Sequence, residues 1–253
     1  MTARLRAEGI EVTFGGLRAL DAVTLDVPAG EIVGLIGPNG AGKTTMFGVV
    51  SGLLQPRAGR VVLDGVDITG ASPQRRARMG VARTFQRLEL FGELTVREHL
   101  VVAQRLRAGR MPVLRDLFGI GPRADDKERE ETARIAAMLG IEDLLDEPAH
   151  TLPLGTGRLV EVARALATEP TVVLLDEPSS GLDEHETARL ADALARLRAE
   201  QQLSLVLVEH DVDLVFSLAD RVTVLDFGKV IASGTPSEMR ADPAVQAAYL
   251  GVG

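Results

Sequence analysis

The sequence predicts an α/β fold: a parallel sheet covered by helices, an antiparallel β layer from the N-terminal strands, and an inserted helical lobe. Three observations predict it. Two short apolar runs, Ile32–Ile36 and residues 172–175, read as strands buried on both faces, as in parallel sheets. Residues 4–14 alternate like a half-buried strand, and strand and helix patterns then alternate through most of the chain. Between about residues 87 and 157 that alternation gives way to helical spacing.

The first strand, 4–14, stops at Gly15-Gly16, and a second, 22–27, stops at Pro28-Ala29-Gly30. Ile32–Ile36 follows, then a glycine-rich turn and a helix over Lys43–Ser51 that ends near Gly52. Residues 59–63 make another strand, closed by Asp64-Gly65. Ser72-Pro73 reads as an N-cap with proline at the first helical position, opening a short basic helix over 74–79. A strand over 81–84 leads to Phe85-Gln86.

In the lobe, Thr95 and Glu98 form a capping box that opens a helix toward Arg107. An apolar knot follows (Val113, Leu114, Leu117, Phe118, Ile120), and a charged run from Asp125 begins a helix reaching Leu139. The α/β alternation resumes after residue 157: helix 158–167, strand 172–175, helix 184–200, strand 203–208, helix Val212–Leu218, strands 221–225 and 229–231, and terminal helices over 237–240 and Pro243–Leu250. This gives a core of residues 1–86 and 158–253 and a lobe of 87–157.

Composition narrows the function classes. The chain has 253 residues, enough to bury a sizeable core. Its net charge of −8 disfavours a broad nucleic-acid surface, so no nucleic-acid partner is expected. With no cysteine there are no disulfides or thiolate metal sites, and four scattered His residues argue against zinc. The N-terminus is charged and lacks an apolar signal core, and no apolar run is long enough to span a bilayer. The expectation is a cytosolic chain; if it works at a membrane, another chain crosses it.

Two motifs carry chemistry. Gly37, Gly42, Lys43 and Thr44 fit the phosphate-binding loop G-x-x-x-x-G-K-[ST], with a strand before and a helix after. Glycines let the backbone curl so that successive N–H groups face one anion, and the helix that follows adds the positive end of its dipole. Lys43 is placed for the β- and γ-phosphates and Thr44 for Mg²⁺. The second motif is Asp176-Glu177 after the apolar strand, at the carboxyl end where open α/β sheets bind ligands. Asp176 is placed for the Mg²⁺ shell and Glu177 for polarising the attacking water. Two solvated acids ending a strand are common; the phosphate loop favours the functional reading.

With these residues in hand, the chain resembles the ATP-binding subunits of ABC transporters over nearly its whole length, which implies a P-loop NTPase core. The resemblance identifies residues 37–45 (Gly37, Pro38, Asn39, Gly40, Ala41, Gly42, Lys43, Thr44, Thr45) as the Walker A loop, and Val172–Asp176 with Glu177 as Walker B and its catalytic carboxylate. It places Gln86 at the Q-loop as a magnesium sensor, Ser180 and Asp183 in the D-loop, His210 at the switch histidine, and Phe14 against adenine. It implies ATP and Mg²⁺ as cofactors. It also implies a second ATP-binding subunit (hetero- or homodimer), two membrane permease subunits, an indirectly linked solute-binding protein, and a place on the inner face of the membrane. Ala82-Arg83-Thr84-Phe85-Gln86, the insert near 105–130 and the ending Pro243 to Gly251 resemble the Liv-type ATPases, which energise import of branched-chain amino acids or related small polar solutes.

One departure stands out. At the signature motif, where Liv types carry Ser-x-Gly-Gln, this chain has Pro153-Leu154-Gly155-Thr156. The resemblance assigns Gly155, Thr156 and Gly157 to the nucleotide held by the partner. Proline has no hydroxyl, so backbone donors from Gly155 to Gly157, with Thr156 as a substitute hydroxyl, are expected to serve. The rival class, an ABC-type ATPase of DNA repair or translation, needs a long coiled-coil insertion or two ATPase units, and neither is read here. A nucleotide-binding regulator without turnover is disfavoured by Glu177 and His210.

Overall fold

The computed structural model describes residues 3–84, 88–109, 124–201 and 203–250. Its frame is a six-stranded sheet in the order β10-β9-β3-β8-β7-β6. The strands are β3 (Ile32–Ile36), β6 (Val81–Arg83), β7 (Val172–Asp176), β8 (Ser204–Val208), β9 (Arg221–Asp226) and β10 (Lys229–Gly234). All neighbours run parallel except β10, which joins β9 as an antiparallel edge. A second, four-stranded antiparallel sheet has the order β2-β1-β4-β5, from β1 (Ala3–Phe14), β2 (Leu17–Pro28), β4 (Ala58–Leu63) and β5 (Val66–Asp67).

The pleat explains why the central strands are apolar but for their ends. Val33, Leu35, Val172, Leu174, Val206 and Val208 enter one apolar cluster, with β1, β2 and the helix after β3. Ile32, Ile36, Val173, Leu175, Leu205 and Leu207 enter the other, with the remaining helices. Successive side chains therefore face opposite layers, and both faces are buried. Helix α1 (Lys43–Ser51) lies on the first face and ends at Gly52, a left-handed C-cap with φ 83°. Helix α2 (Pro73–Arg78) starts at Ser72, whose side chain accepts from the Arg75 amide.

The second layer holds α3 (Val96–Arg107), α4 (Asp126–Leu139), α5 (Leu154–Leu166) and α6 (Glu184–Gln201). The Thr95–Glu98 capping box forms as read, and Asp125 with Glu128 makes a second one at the start of α4. Val96, Leu100, Ile135 and Leu139 join the same buried cluster as β7 and β8, so lobe and sheet share one apolar layer. Helices α7 (Val212–Leu218), α8 (Pro236–Ala241) and α9 (Pro243–Leu250) close the chain.

Three expectations are corrected. Helix α5 begins at Leu154, not residue 158, so the boundary drawn at 157 falls within a helix; a Cβ on Gly155 would meet the Glu186 side chain and one on Gly157 the Leu88 side chain. The two-residue strand β5 follows the Asp64-Gly65 turn unpredicted, because it pairs only with β4 and both residues are exposed. Strand β10 runs on to Gly234 through its register with β9. The apolar knot at 113–120 lies outside the described residues.

Candidate functional site

The turn after β3 carries the phosphate loop. Gly37, Gly40 and Gly42 all have positive φ (152°, 82° and 107°). At two of them the space also demands glycine: a Cβ on Gly37 would stand 2.1 Å from the Leu225 carbonyl oxygen, and one on Gly42 2.7 Å from Leu20 Cδ2. The loop is pinned from outside by the β9–β10 turn, where the Gly228 amide donates to Ala41 O at 3.0 Å. Gly42 serves as N-cap of α1 with no side-chain cap, leaving the helix start to an external acceptor.

Lys43 is buried. Its Nζ donates to Gly37 O at 2.5 Å and Pro38 O at 3.0 Å, which holds the amine over the loop with one of its three donors to spare. Burial pushes the Lys43 ammonium below the usual lysine range, and the nearby Glu177 and Asp176 carboxylates oppose that shift. Thr44, Asn39 and Gly40 are exposed along the same turn.

A cleft of about 490 Å³ opens over this loop, lined among others by Gly40, Lys43, Thr44, Glu177, His210 and Phe227. Pro38, Ala41 and Thr45 belong to the same turn, and the latter two also line the cleft. Glu177 and His210 arrive from the ends of β7 and β8, adjacent parallel strands. His210 Nε2 lies 2.8 Å from Glu177 Oε1. Glu177 holds φ at 49°, in the left-handed region, while its amide donates to Val208 O at 2.9 Å. Such a backbone costs about 1–3 kcal/mol and clusters at functional sites.

Asp176 is nearly buried at the end of β7 and its Oδ2 accepts from Arg83 Nη2 at 2.8 Å. Ser180 is exposed, its amide donating to Glu177 O at 3.1 Å. Asp183 caps α6 by accepting from the Glu186 amide at 2.8 Å. Phe14 is half-exposed at the β1–β2 hairpin and is not among the cleft's lining residues; its cross-strand partner Leu17 is. Gln86 lies outside the described residues.

The residues that resemble the signature motif sit at the start of α5. Thr156 is buried. The Gly155 amide donates to Glu186 Oε1 at 3.1 Å, and the Gly157 amide to Pro153 O at 2.9 Å. Gly155 and Gly157 are therefore not free donors in this chain: the early helix start closes one internally and Glu186 takes the other.

Two participants escaped the sequence reading. Glu209, beside His210, is buried; its carboxylate accepts from the Ser179 amide (2.7 Å) and the His210 amide (3.1 Å), tying the turn after Asp176 to the histidine. Burial pushes the Glu209 carboxyl up, against those hydrogen bonds. Its acid sits between an apolar strand and a histidine, and only the strand's end position hints at a role. Tyr249, on α9, packs on the main apolar cluster; burial pushes its phenol up to about 12, and a hydrogen bond with the Gly37 backbone opposes the shift. The C-terminal helix thus touches the phosphate loop.

The donor set fits a polyphosphate with a divalent cation: a curled glycine loop, an uncapped helix start, a buried lysine amine, an exposed threonine hydroxyl and a carboxylate at a strand end. Comparisons with known proteins agree. Residues 20–180 match the family described as ABC transporter, and residues 229–253 that described as Branched-chain amino acid ATP-binding cassette transporter. The chain is 40% identical over 249 residues to the high-affinity branched-chain amino acid transport ATP-binding protein BraF of Pseudomonas aeruginosa, covering 98% of this chain and 97% of that one. It is 39% identical, with the same coverage, to the LivG protein of that description from Escherichia coli (strain K12). A crystal structure of the ADP conformation of an ATP-binding cassette of an ABC transporter shares 32% identity with a TM-score of 0.87, covering 99% of this chain and 100% of that chain.

Proposed function

The chain belongs to the ABC transporter family, and from that premise we propose that it is the ATP-hydrolysing subunit of an importer of branched-chain amino acids or a related small polar solute. The observation that carries the proposal is the cleft that gathers Lys43, Thr44, Glu177 and His210. The C-terminal match and the two relatives' names support the solute class.

The chemistry follows from the donor set. Lys43 and the amides of residues 39–45 hold the β- and γ-phosphates and take up charge that develops as the γ-phosphoryl leaves. Glu177 orients the attacking water and accepts its proton as the bond between the β- and γ-phosphates breaks and ADP departs. His210, 2.8 Å from Glu177, holds that carboxylate in place and reaches the γ-phosphate. Thr44, Asp176 and Gln86 would hold Mg²⁺, which when bound neutralises charge on the phosphate oxygens. Phe14 is the proposed adenine contact.

The site is half of a composite. A second ATP-binding subunit covers it, Ser180 and Asp183 lie at that seam, and Gly155, Thr156 and Gly157 face the partner's nucleotide. Because Gly155 is engaged by Glu186, docking there exchanges one anion for another. Core 1–86 and 158–253 binds nucleotide, and lobe 87–157 meets two permease subunits. An apolar groove of about 390 Å³ between α1, α2, α3 and α5, with Leu53, Phe91 and Leu106 exposed along it, is the docking surface. Among the described residues no helix is long and apolar enough to cross a membrane, which fits a peripheral subunit on the cytoplasmic face.

The test is Glu177→Gln. Nucleotide titration is expected to give wild-type affinity, and steady-state hydrolysis to fall about 10²–10⁴-fold, the usual contribution of a general base. Wild-type-like hydrolysis would refute the assignment.

A further inference from the structure

Arg83 belongs to the five-residue stretch that resembles Liv-type ATPases, and the resemblance assigns it no role. It ends β6, next to β7, and its guanidinium reaches across the strand ends to Asp176. Nη2 donates to Asp176 Oδ2 at 2.8 Å and Nη1 to Ser51 Oγ at 3.3 Å, while the guanidinium carbon lies 5.7 Å from the Phe47 ring centroid. Ser51 and Phe47 both belong to α1, the helix that the phosphate loop opens. One side chain therefore ties the far end of that helix to the carboxylate opposite its beginning.

The pair is enclosed: Arg83 is 15% exposed and Asp176 5%. The other side of Arg83 lines the apolar groove, where the remaining carboxylate, Glu161, is already engaged by Arg158 and by the Glu89 amide. Arg83 Nε is buried without a partner among the described residues, so the guanidinium has traded solvation for the Asp176 contact. A planar, always-charged fork suits such a fixed role where lysine's single flexible nitrogen does not.

We propose that Arg83 is the positioning residue of the magnesium site: it holds Asp176 by one oxygen and leaves the other for the metal shell. Partners behind a metal ligand fix its orientation, and their loss typically costs about 10–100-fold in metal affinity. The proposal rests on the site being one for Mg²⁺ and ATP, and the experiment separates the two.

Binding of a fluorescent ATP analogue is titrated with Mg²⁺ for wild type, Arg83→Met and Arg83→Lys, with thermal unfolding in EDTA alongside. Arg83→Met is expected to raise the half-saturating Mg²⁺ at least about tenfold with affinity in EDTA unchanged, and Arg83→Lys to fall between. In EDTA, Asp176→Asn is expected to restore part of the melting temperature that Arg83→Met loses, a coupling that a packing role alone does not give. An unchanged half-saturating Mg²⁺ in both variants overturns the proposal; a lowered one does so too, since it makes Arg83 a competitor of the metal. If Arg83→Met does not fold, Arg83→Lys decides by the same criterion. Wild-type binding indifferent to Mg²⁺ instead contradicts the reading of the site itself.

Discussion

Lys43 shows how much one residue does here. Its stem is buried, its amine is tethered to two loop carbonyls, and the acids at the end of β7 supply the opposing charge. Lys43→Ala removes a charge-assisted donor to phosphate, worth about 1.5–3 kcal/mol. The expected outcome is ATP affinity weakened by about ten- to a hundredfold in a nucleotide titration; wild-type affinity contradicts the assignment. Residues such as Lys43, Thr44 and Glu177 were legible because their spacing is dictated by a phosphate and one strand end. Arg83 and Glu209 were not, because an arginine or glutamate beside a strand reads as a surface charge until the fold shows what it touches. Asp176 is brought to Arg83, and the Ser179 amide to Glu209, by neighbouring strands far apart in sequence.

Among the elements, α3 has the most readable start and the least readable consequence. Its capping box is visible in the sequence; the clamp made by the buried His99 one turn in is not. His99 Nε2 accepts from the Phe91 amide at 3.0 Å while its Nδ1 sits 2.9 Å from Thr95 O, pinning the 88–94 segment beside the apolar groove. Burial holds His99 below its ordinary value of 6.5; Arg164 adds to this, while the Thr95 hydrogen bond and Glu98 oppose it. A base depressed in the folded state binds its proton more readily unfolded. This contribution to stability is therefore full above about pH 6.5 and is lost as pH falls toward the lower folded value. Melting temperatures at about pH 7.5 and pH 5.5 are expected to drop more for wild type than for His99→Gln. Equal drops contradict the clamp. The start of α5 lies four residues ahead of the expected one, in a stretch whose two glycines the helix accommodates beside the Glu186 and Leu88 side chains.

At the scale of the whole molecule, the fold was legible because two periodicities, continuous apolar strands and helical spacing, alternate along one chain. What stayed hidden is how the layers share a core and how the C-terminal helix returns to the phosphate loop through Tyr249, both set by contacts distant in sequence. The departure at the residues that resemble the signature motif also belongs to this scale. Pro153 stands as N-cap of α5 with no side-chain cap, and Pro153→Ser places a hydroxyl there. One hydrogen bond to a charged phosphate, worth about 1.5–3 kcal/mol, allows a rise of about ten- to a hundredfold in the ATPase rate of the assembled complex; an unchanged rate shows the departure to be neutral. The most direct test joins every scale. The chain is reconstituted in proteoliposomes with the proposed second ATP-binding subunit, permeases and binding protein, and ATP-dependent uptake of leucine, isoleucine and valine is measured. Uptake is expected with wild type and lost with Glu177→Gln, although the variant still binds ATP. Undiminished uptake with Glu177→Gln contradicts the account.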